Sequence, residues 1–314
     1  MHRRGGAVFE LAGRTAFITG GAQGIGLGLA RALAKEGVRL ALADIDTDAL
    51  AAAGTELSAL TGVATFTLDV TDRAAYARVA DEAEERLGPV TLLCNNAGVG
   101  GSYPVTAMSY ELWDLFLGVN VGGVVNGLQT FLPRMIARGE PAHIVNTAST
   151  AGLAPQGGQA GYMYEGTKAG VIGLSEGLSR QLAHEGHPIG VTVFCPGLVA
   201  TNMVATGRAA RRRISGDLGL TAVQEEDRER LLTEQDFYLR QLGHSPDAVG
   251  EMLVEGLRSG KPYVITDRGV AEPLAARSKA LFTALPPETE HDRRIARHVA
   301  AQLREAARSG SKTH

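Results

Sequence analysis

Tyr164 and Lys168 stand four residues apart in Tyr164-Glu165-Gly166-Thr167-Lys168, downstream of a glycine-rich turn and a serine. On a helix this spacing puts a phenol and an ammonium on one face. A free phenol ionises near pH 10 and is a poor base at neutral pH. A cation about 4 Å away is worth roughly 4 kcal/mol at an effective dielectric of 20, or about three pKa units. Lys168 is therefore expected to lower the Tyr164 pKa into the range for acid/base work. The spacing also arises by chance, so its meaning depends on the elements that hold it.

Those elements alternate. Strands are expected at Thr15–Thr19, Arg39–Ala43, Val63–Leu68, Val90–Cys94, His143–Ala148, Ile189–Cys195 and Pro262–Thr266. Helices are expected at Ile25–Glu36, Thr47–Leu60, Arg73–Leu87, Tyr110–Ala137, Tyr162–His184 and Pro246–Leu257. Strands alternating with helices imply an α/β fold with an open, doubly wound parallel sheet. A closed eight-stranded barrel is the rival, but its phosphate loop comes late in the chain rather than after the first strand. Thr201–Gly243 interrupts the alternation with Arg211-Arg212-Arg213 and Glu225-Glu226-Asp227, and reads as an irregular lid or binding loop over about 202–243. The division expected is a catalytic domain over 1–270 and a helical extension over 271–314, broken at Pro286-Pro287.

The glycine-rich segment Thr19-Gly20-Gly21-Ala22-Gln23-Gly24-Ile25-Gly26 follows the first strand. Gly20, Gly24 and Gly26 permit a tight turn, close backbone approach to a pyrophosphate and close helix packing. The next helix offers its N-terminal amides to phosphate. Asp44 ends the second strand, where an acid accepts hydrogen bonds from ribose hydroxyls and repels a 2′-phosphate. Gln23 stands in the turn, with no arginine or lysine beside it. NAD rather than NADP is the expectation.

Composition narrows the rest. A net charge of −3 supplies no basic field for nucleic acid. Cys94 and Cys195 lie in apolar runs and read as buried thiols, with no Cys/His metal pattern. No signal core follows Met1–Glu10, and no apolar run reads as long as a membrane span. A cytoplasmic protein without membrane or nucleic-acid partners is expected.

Taken together, the glycine turn, Asp44 and the Tyr164/Lys168 pair resemble the short-chain dehydrogenase/reductase family. Further matches follow in that family's order: Asp69 in Leu68-Asp69-Val70, Asn95-Asn96-Ala97-Gly98, Asn120 in Val119-Asn120-Val121, Ser149 after Asn146-Thr147-Ala148, and Pro196-Gly197 with Thr201. They cover about Leu11–Thr266. The resemblance implies a Rossmann-type fold and a catalytic set of Asn120, Ser149, Tyr164 and Lys168. It implies a cofactor set of Gly20, Gln23, Gly24, Ile25, Gly26, Asp44, Ile45, Asp69, Val70, Asn96, Ala97, Gly98, Tyr164, Lys168, Pro196, Gly197, Val199 and Thr201. It also implies a homodimer or homotetramer assembled through the two long helices.

The implied reaction is hydride transfer between a secondary alcohol or ketone and a nicotinamide. Tyr164 exchanges the hydroxyl proton, Lys168 stabilises the phenolate, Ser149 positions the oxygen, and Asn120 holds a water beside Lys168. Within the family, Gly118–Gly127 and Phe131-Leu132-Pro133-Arg134-Met135-Ile136 are similar to bacterial dehydrogenases of the benzylic Cα alcohol in lignin-derived aryl ethers. An aryl alcohol or a secondary metabolite is thus the substrate class.

Two departures from the family pattern are visible. The interval from Ser149 to Tyr164 is about two residues long for the family, with the extra length in Pro155–Gly161, and Gly166-Thr167 replaces a common Ala-Ser. Tyr162 reads as pocket wall or core. Each site residue also has a plainer role. Asn120 could kink a helix, Ser149 cap a strand end, Asp69 form a turn, Asp44 cap its loop, and Arg211–Arg213 form a solvated face rather than a clasp for an anionic substrate. Dehydration, epimerisation or cyclisation at the same site is the alternative chemistry. A cofactor-sensing binding protein is the third reading, but such proteins lack the tyrosine or lysine retained here.

Overall fold

In a computed structural model the described residues are 9–101, 103, 105, 109–155, 161–212 and 221–309, with side chains through 302. Seven parallel strands form one sheet in the order β3-β2-β1-β4-β5-β6-β7. They are β1 (Thr15–Thr19), β2 (Arg39–Asp44), β3 (Val63–Thr67), β4 (Leu92–Asn95), β5 (Ala142–Thr147), β6 (Ile189–Cys195) and β7 (Tyr263–Ile265). The order reverses between β1 and β4. In an open α/β sheet, that is where a crevice opens beyond the strand C-termini.

Helices cover both faces. On one lie α1 (Gly24–Lys35), α2 (Thr47–Leu57) and α10 (Pro246–Arg258), packing Leu29, Leu33, Leu50 and Leu253 on Ile18, Leu42 and Phe194. On the other lie α3 (Arg73–Leu87), α5 (Gly123–Arg138) and α7 (Tyr162–Glu185), packing Val79, Phe131 and Val171 on Phe17, Ile144 and Val193. Phe17 and Ile18 thus serve opposite cores, as the two-residue period of a strand requires. Strands buried on both faces explain the near-continuous apolar runs.

The helix expected over Tyr110–Ala137 is instead interrupted. It runs as α4 (Tyr110–Leu117), a π-helical turn (Gly118–Gly122) and α5. A π-turn adds one residue per turn and bends the helix without a proline, so apolar periodicity does not reveal it. The whole run, Tyr110–Arg138, is long and apolar enough to cross a membrane by length and composition, contrary to the sequence expectation. Leu112, Phe116, Asn120, Val124, Leu128, Phe131 and Met135 lie along its buried side, so much of its apolar surface meets protein.

The segment read as an irregular lid is largely helical. It contains α8 (Met203–Arg212) and α9 (Ala222–Leu242). Thr221 and Gln224 form a capping box at the start of α9. Only Arg228, Leu232 and Leu239 are buried along α9, so its apolar stripe is too thin to read against the charges. A four-residue α6 (Thr150–Leu153) also follows β5.

Compact packing divides the chain into Met1–Pro273 and Leu274–His314. α11 (Ala271–Thr283) carries no buried residue, and α12 (Glu290–Ser309) follows it.

Candidate active site

The C-terminal ends of β1, β2, β4, β5 and β6 open onto a cleft of about 920 Å³. At β1 the chain turns through Gly20 and Gly24, both at positive φ (62° and 54°). A Cβ on Gly26 would lie 1.9 Å from the Gly20 carbonyl oxygen, so only glycine lets the turn close. Gln23 precedes α1 without a side-chain cap, and no acid occupies the first turn. That end of the helix suits an anion. Gly20, Gln23, Gly24 and Ile25 line the cleft, whereas Gly26 supports the turn from beneath.

Asp44 is buried, and its carboxylate holds the ends of β1 and β2 together. One oxygen accepts from the Ala22 amide (3.1 Å), the other from Ile45 (2.8 Å) and Asp46 (3.2 Å). Asp44 thus caps its loop and also faces the cleft, beside Ile45. Asp69 accepts from the amide and hydroxyl of Thr71 (2.9 and 2.7 Å), a turn that sets Asp69 and Val70 on the cleft wall. At β4, Asn96 donates to the carbonyls of Thr19 and Gly20, and Ala97 and Gly98 continue the wall.

The proton-handling groups lie at the β5 and β6 end. Ser149 leads out of β5 as the N-cap of α6, its Oγ accepting from Ala151 (3.2 Å) and donating to the Pro196 carbonyl (3.5 Å). Tyr164 and Lys168 lie one turn apart on α7 and both line the cleft. Lys168 is buried, its Nζ 5.7 Å from the Tyr164 ring centroid and donating to the Thr147 carbonyl (2.9 Å). Burial pushes its pKa down to about 8.

Tyr164 does not follow the simple cation argument. Burial raises its pKa, which the nearby Ser149 hydroxyl only partly opposes. The expected lowering by Lys168 is absent because desolvation of the phenolate dominates. The ammonium, moreover, is engaged by a backbone carbonyl.

Asn120 sits in the π-turn, buried. Its Oδ1 accepts from Val99 (2.8 Å), and its Nδ2 donates to the Val99 carbonyl and to Thr167 Oγ1 (both 3.0 Å). The side chain therefore pins the loop after β4 to α7. A Cβ on Gly98 would lie 3.2 Å from Asn120 Oδ1 and 3.3 Å from Lys168 Nζ, so the two converge on that glycine.

Pro196 and Thr201 line the cleft, whereas Gly197 and Val199 do not. The Gly197 amide donates to Thr266 Oγ1 (2.9 Å), and Val199 is bridged to His244. Tyr162 is neither core nor pocket wall: it is 43% exposed and meets Trp113 edge-on at 5.7 Å. Arg211 pairs with Glu225 (2.7 Å) rather than standing in solvent, and Arg212 is exposed. Arg213, and positions 156–160 of the long interval before Tyr164, lie outside the described residues.

Several positioning residues escaped the sequence reading. Thr19 Oγ1 accepts from the amides of Asn96 (2.9 Å) and Ala97 (3.0 Å), joining β1 to β4 at the cleft floor. Thr147 supplies the carbonyl for Lys168. Asn95, Asn146 and Ser175 form a buried chain beneath them, with links of 2.9 Å each. Met203, Thr206 and Ala210 on α8 cover the cleft, and Glu111 and Asp114 on α4 face it. Hydroxyls and amides ending β1, β4 and β5 were the available signal.

The glycine turn, the uncapped α1 and the carboxylate at β2 fit a dinucleotide, and the Ser149/Tyr164/Lys168 group fits proton exchange with an alcohol beside it. Comparison with known proteins identifies the family. The family model described as short chain dehydrogenase matches residues 14–212. The C alpha-dehydrogenase of Sphingobium sp. (strain NBRC 103272 / SYK-6) is 35% identical over 277 residues, covering 87% of each chain. The 1-deoxy-11-beta-hydroxypentalenate dehydrogenase of Streptomyces exfoliatus is 37% identical over 224 residues, 70% of this chain and 78% of that one. The structure of a short chain dehydrogenase/reductase from Burkholderia phymatum in complex with NAD superposes with a TM-score of 0.80 at 32% identity. It covers 90% of this chain and 98% of that one. The chain belongs to the short-chain dehydrogenase family and is an oxidoreductase that acts on CH–OH groups with a nicotinamide cofactor.

Proposed function

We propose that the protein is an NAD-specific dehydrogenase of a secondary, benzylic-type alcohol. The charge of the cleft carries the cofactor choice. Asp44, Asp46, Asp69, Glu111 and Asp114 line it, and Lys168 is the single basic residue among the described lining residues. A 2′-phosphate would enter an acidic wall with no guanidinium to receive it. Gly20, Gln23, Gly24 and Ile25 would hold the pyrophosphate, Asp44 and Ile45 the adenosine ribose, Asp69 and Val70 the adenine, and Lys168 the nicotinamide ribose. Bound there, the cofactor supplies a hydride acceptor.

The chain's own residues then manage oxygen and proton. Ser149 donates a hydrogen bond to the substrate oxygen and fixes it near Tyr164. The Tyr164 phenolate takes the hydroxyl proton during oxidation, and the phenol returns it during reduction. Lys168 supplies positive charge close to the phenolate.

The similarity to the C alpha-dehydrogenase supports an aryl substrate, and both dehydrogenase relatives support net redox chemistry over a non-redox use of the site. The test is NADH formation from NAD⁺, beside NADP⁺, with a panel of secondary alcohols including benzylic ones, for wild type and Tyr164→Phe. Turnover with NAD⁺ that collapses in the variant supports the reading. Equal use of NADP⁺, or full activity in the variant, overturns it.

Self-association through α7 belongs to the same proposal. Gly166, Gly170, Gly173 and Gly177 follow each other along α7, and a Cβ on any of them would meet nothing within 4 Å among the described residues. Each glycine costs a helix roughly 1 kcal/mol relative to alanine. Four on open positions are economical only where another backbone comes close. A homodimer or homotetramer supplies it.

A further inference from the structure

Arg228 on α9 is 2% exposed, and its Nε is buried with no hydrogen-bond partner among the described residues. Its guanidinium carbon lies 5.1 Å from the ring centroid of Tyr103, which is itself buried. Its Nη1 donates to Glu225 (3.1 Å) and Glu229 (2.7 Å) of its own helix. The same two carboxylates receive Arg211 and Arg208 from α8 (2.7 Å each). Five charged side chains therefore bind α8 and α9 into one unit.

That unit touches the rest of its domain at defined places. Its base is closed by the bridge between Val199 and His244, with Ala200 donating to His244 (2.9 Å) and His244 to Leu198 (3.0 Å). Its α8 face covers the cleft through Met203, Thr206 and Ala210. α8 presses on the loop after β4, because a Cβ on Gly207 would lie 2.3 Å from the Gly100 carbonyl oxygen. Arg228 on Tyr103 is a second contact with that loop. Tyr103 in turn packs in a cluster with Phe116 and Met163, against which Tyr164 lies.

A buried arginine with an orphaned donor is not explained by stability, since an apolar side chain of similar size packs at no greater cost. A guanidinium differs in one respect. It stacks on an aromatic ring when covered and is fully solvated when released, so the contact can open and close. An apolar anchor would weld it shut.

We propose that Arg228 is the latch of the α8–α9 flap, holding it over the dinucleotide by stacking on Tyr103 and releasing it for cofactor exchange. It is a positioning residue, and the inference rests on the dinucleotide reading of the cleft.

The test is the rate of NADH dissociation from the full chain, followed by stopped-flow fluorescence without alcohol substrate, alongside thermal unfolding. Arg228→Ala and Tyr103→Leu are each expected to speed release about tenfold, the scale of a desolvated cation–π contact. The double variant is expected to go no faster than either, because both remove one contact. Tyr103→Phe keeps the ring and is expected to match wild type. Dissociation unchanged within twofold in both Arg228→Ala and Tyr103→Leu overturns the latch, as do effects that multiply in the double variant. Should Arg228→Ala fail to fold, Tyr103→Leu against Tyr103→Phe decides alone. A wild-type chain that binds no NADH overturns the reading of the cleft and the latch with it.

Discussion

The pKa values of Tyr164 and Lys168 are each shifted by burial towards the neutral form. Burial keeps the phenol protonated well into the alkaline range and drives the ammonium pKa down to about 8. Oxidation needs the phenolate, so its rate is expected to rise with pH, while ketone reduction, which needs the phenol, falls. The two kcat/KM profiles should slope oppositely, and parallel slopes would count against Tyr164 as the proton carrier. Tyr164→Phe should cut turnover by about 10³-fold, the usual range for losing a general acid or base, with NADH affinity unchanged by titration. Lys168 gives a linkage test. Its folded pKa of about 8 lies below the ordinary 10.5, so folding at neutral pH carries a buried charge whose cost disappears as pH rises through about 8 to 10.5. At 1.36 kcal/mol per unit that cost is about 3 kcal/mol, partly offset by the bond to Thr147. Lys168→Met should therefore be inactive yet more stable at pH 7 by about 2 kcal/mol, read from urea unfolding. A less stable variant would mean the ammonium holds the site together.

At the scale of elements, the glycine turn and β5 make separate demands. A Cβ on Gly26 overlaps the Gly20 carbonyl, so Gly26→Ala must displace either the turn or α1. NADH affinity is expected to fall at least 100-fold in that variant, as measured by fluorescence titration. On β5, His143 is buried against Thr192 Oγ1 (2.9 Å), and burial pushes its pKa down to about 4. The unfolded chain takes up that proton near pH 6.5. The stability from a neutral His143 is thus complete above pH 6.5 and drains away as pH falls towards 4, by about 3 kcal/mol in all. His143→Gln should flatten the loss of stability between pH 6.5 and 4 in denaturant titrations. An unchanged slope would place the acid-sensitive group elsewhere.

For the whole molecule, the open glycines of α7 set two effects against each other. Gly170→Ala and Gly173→Ala should strengthen the isolated helix by up to roughly 1 kcal/mol each. If that face meets another subunit, the same substitutions should weaken assembly, and Gly173→Leu should abolish it in sedimentation velocity. Assembly unaffected by Gly173→Leu would move the interface off α7.

The sequence by itself determined the alternation of strands and helices, the glycine turn, Asp44 and the pairing of Tyr164 with Lys168. Each is a local fact, set by apolar period, backbone freedom or i, i+4 spacing. It also ordered the site residues along the chain, because parallel strands bring their C-terminal ends to one edge. Three things were decided only in three dimensions. The direction of the Tyr164 pKa depends on burial against the cluster of Tyr103, Phe116 and Met163, which no spacing records. In the π-turn the Asn120 side chain satisfies Val99 and Thr167, partners 21 and 47 residues away. The α8–α9 flap read as irregular because its helices are held by ion pairs and a few apolar positions rather than a broad stripe. Charges that pair across helices look, in one dimension, the same as charges that face water.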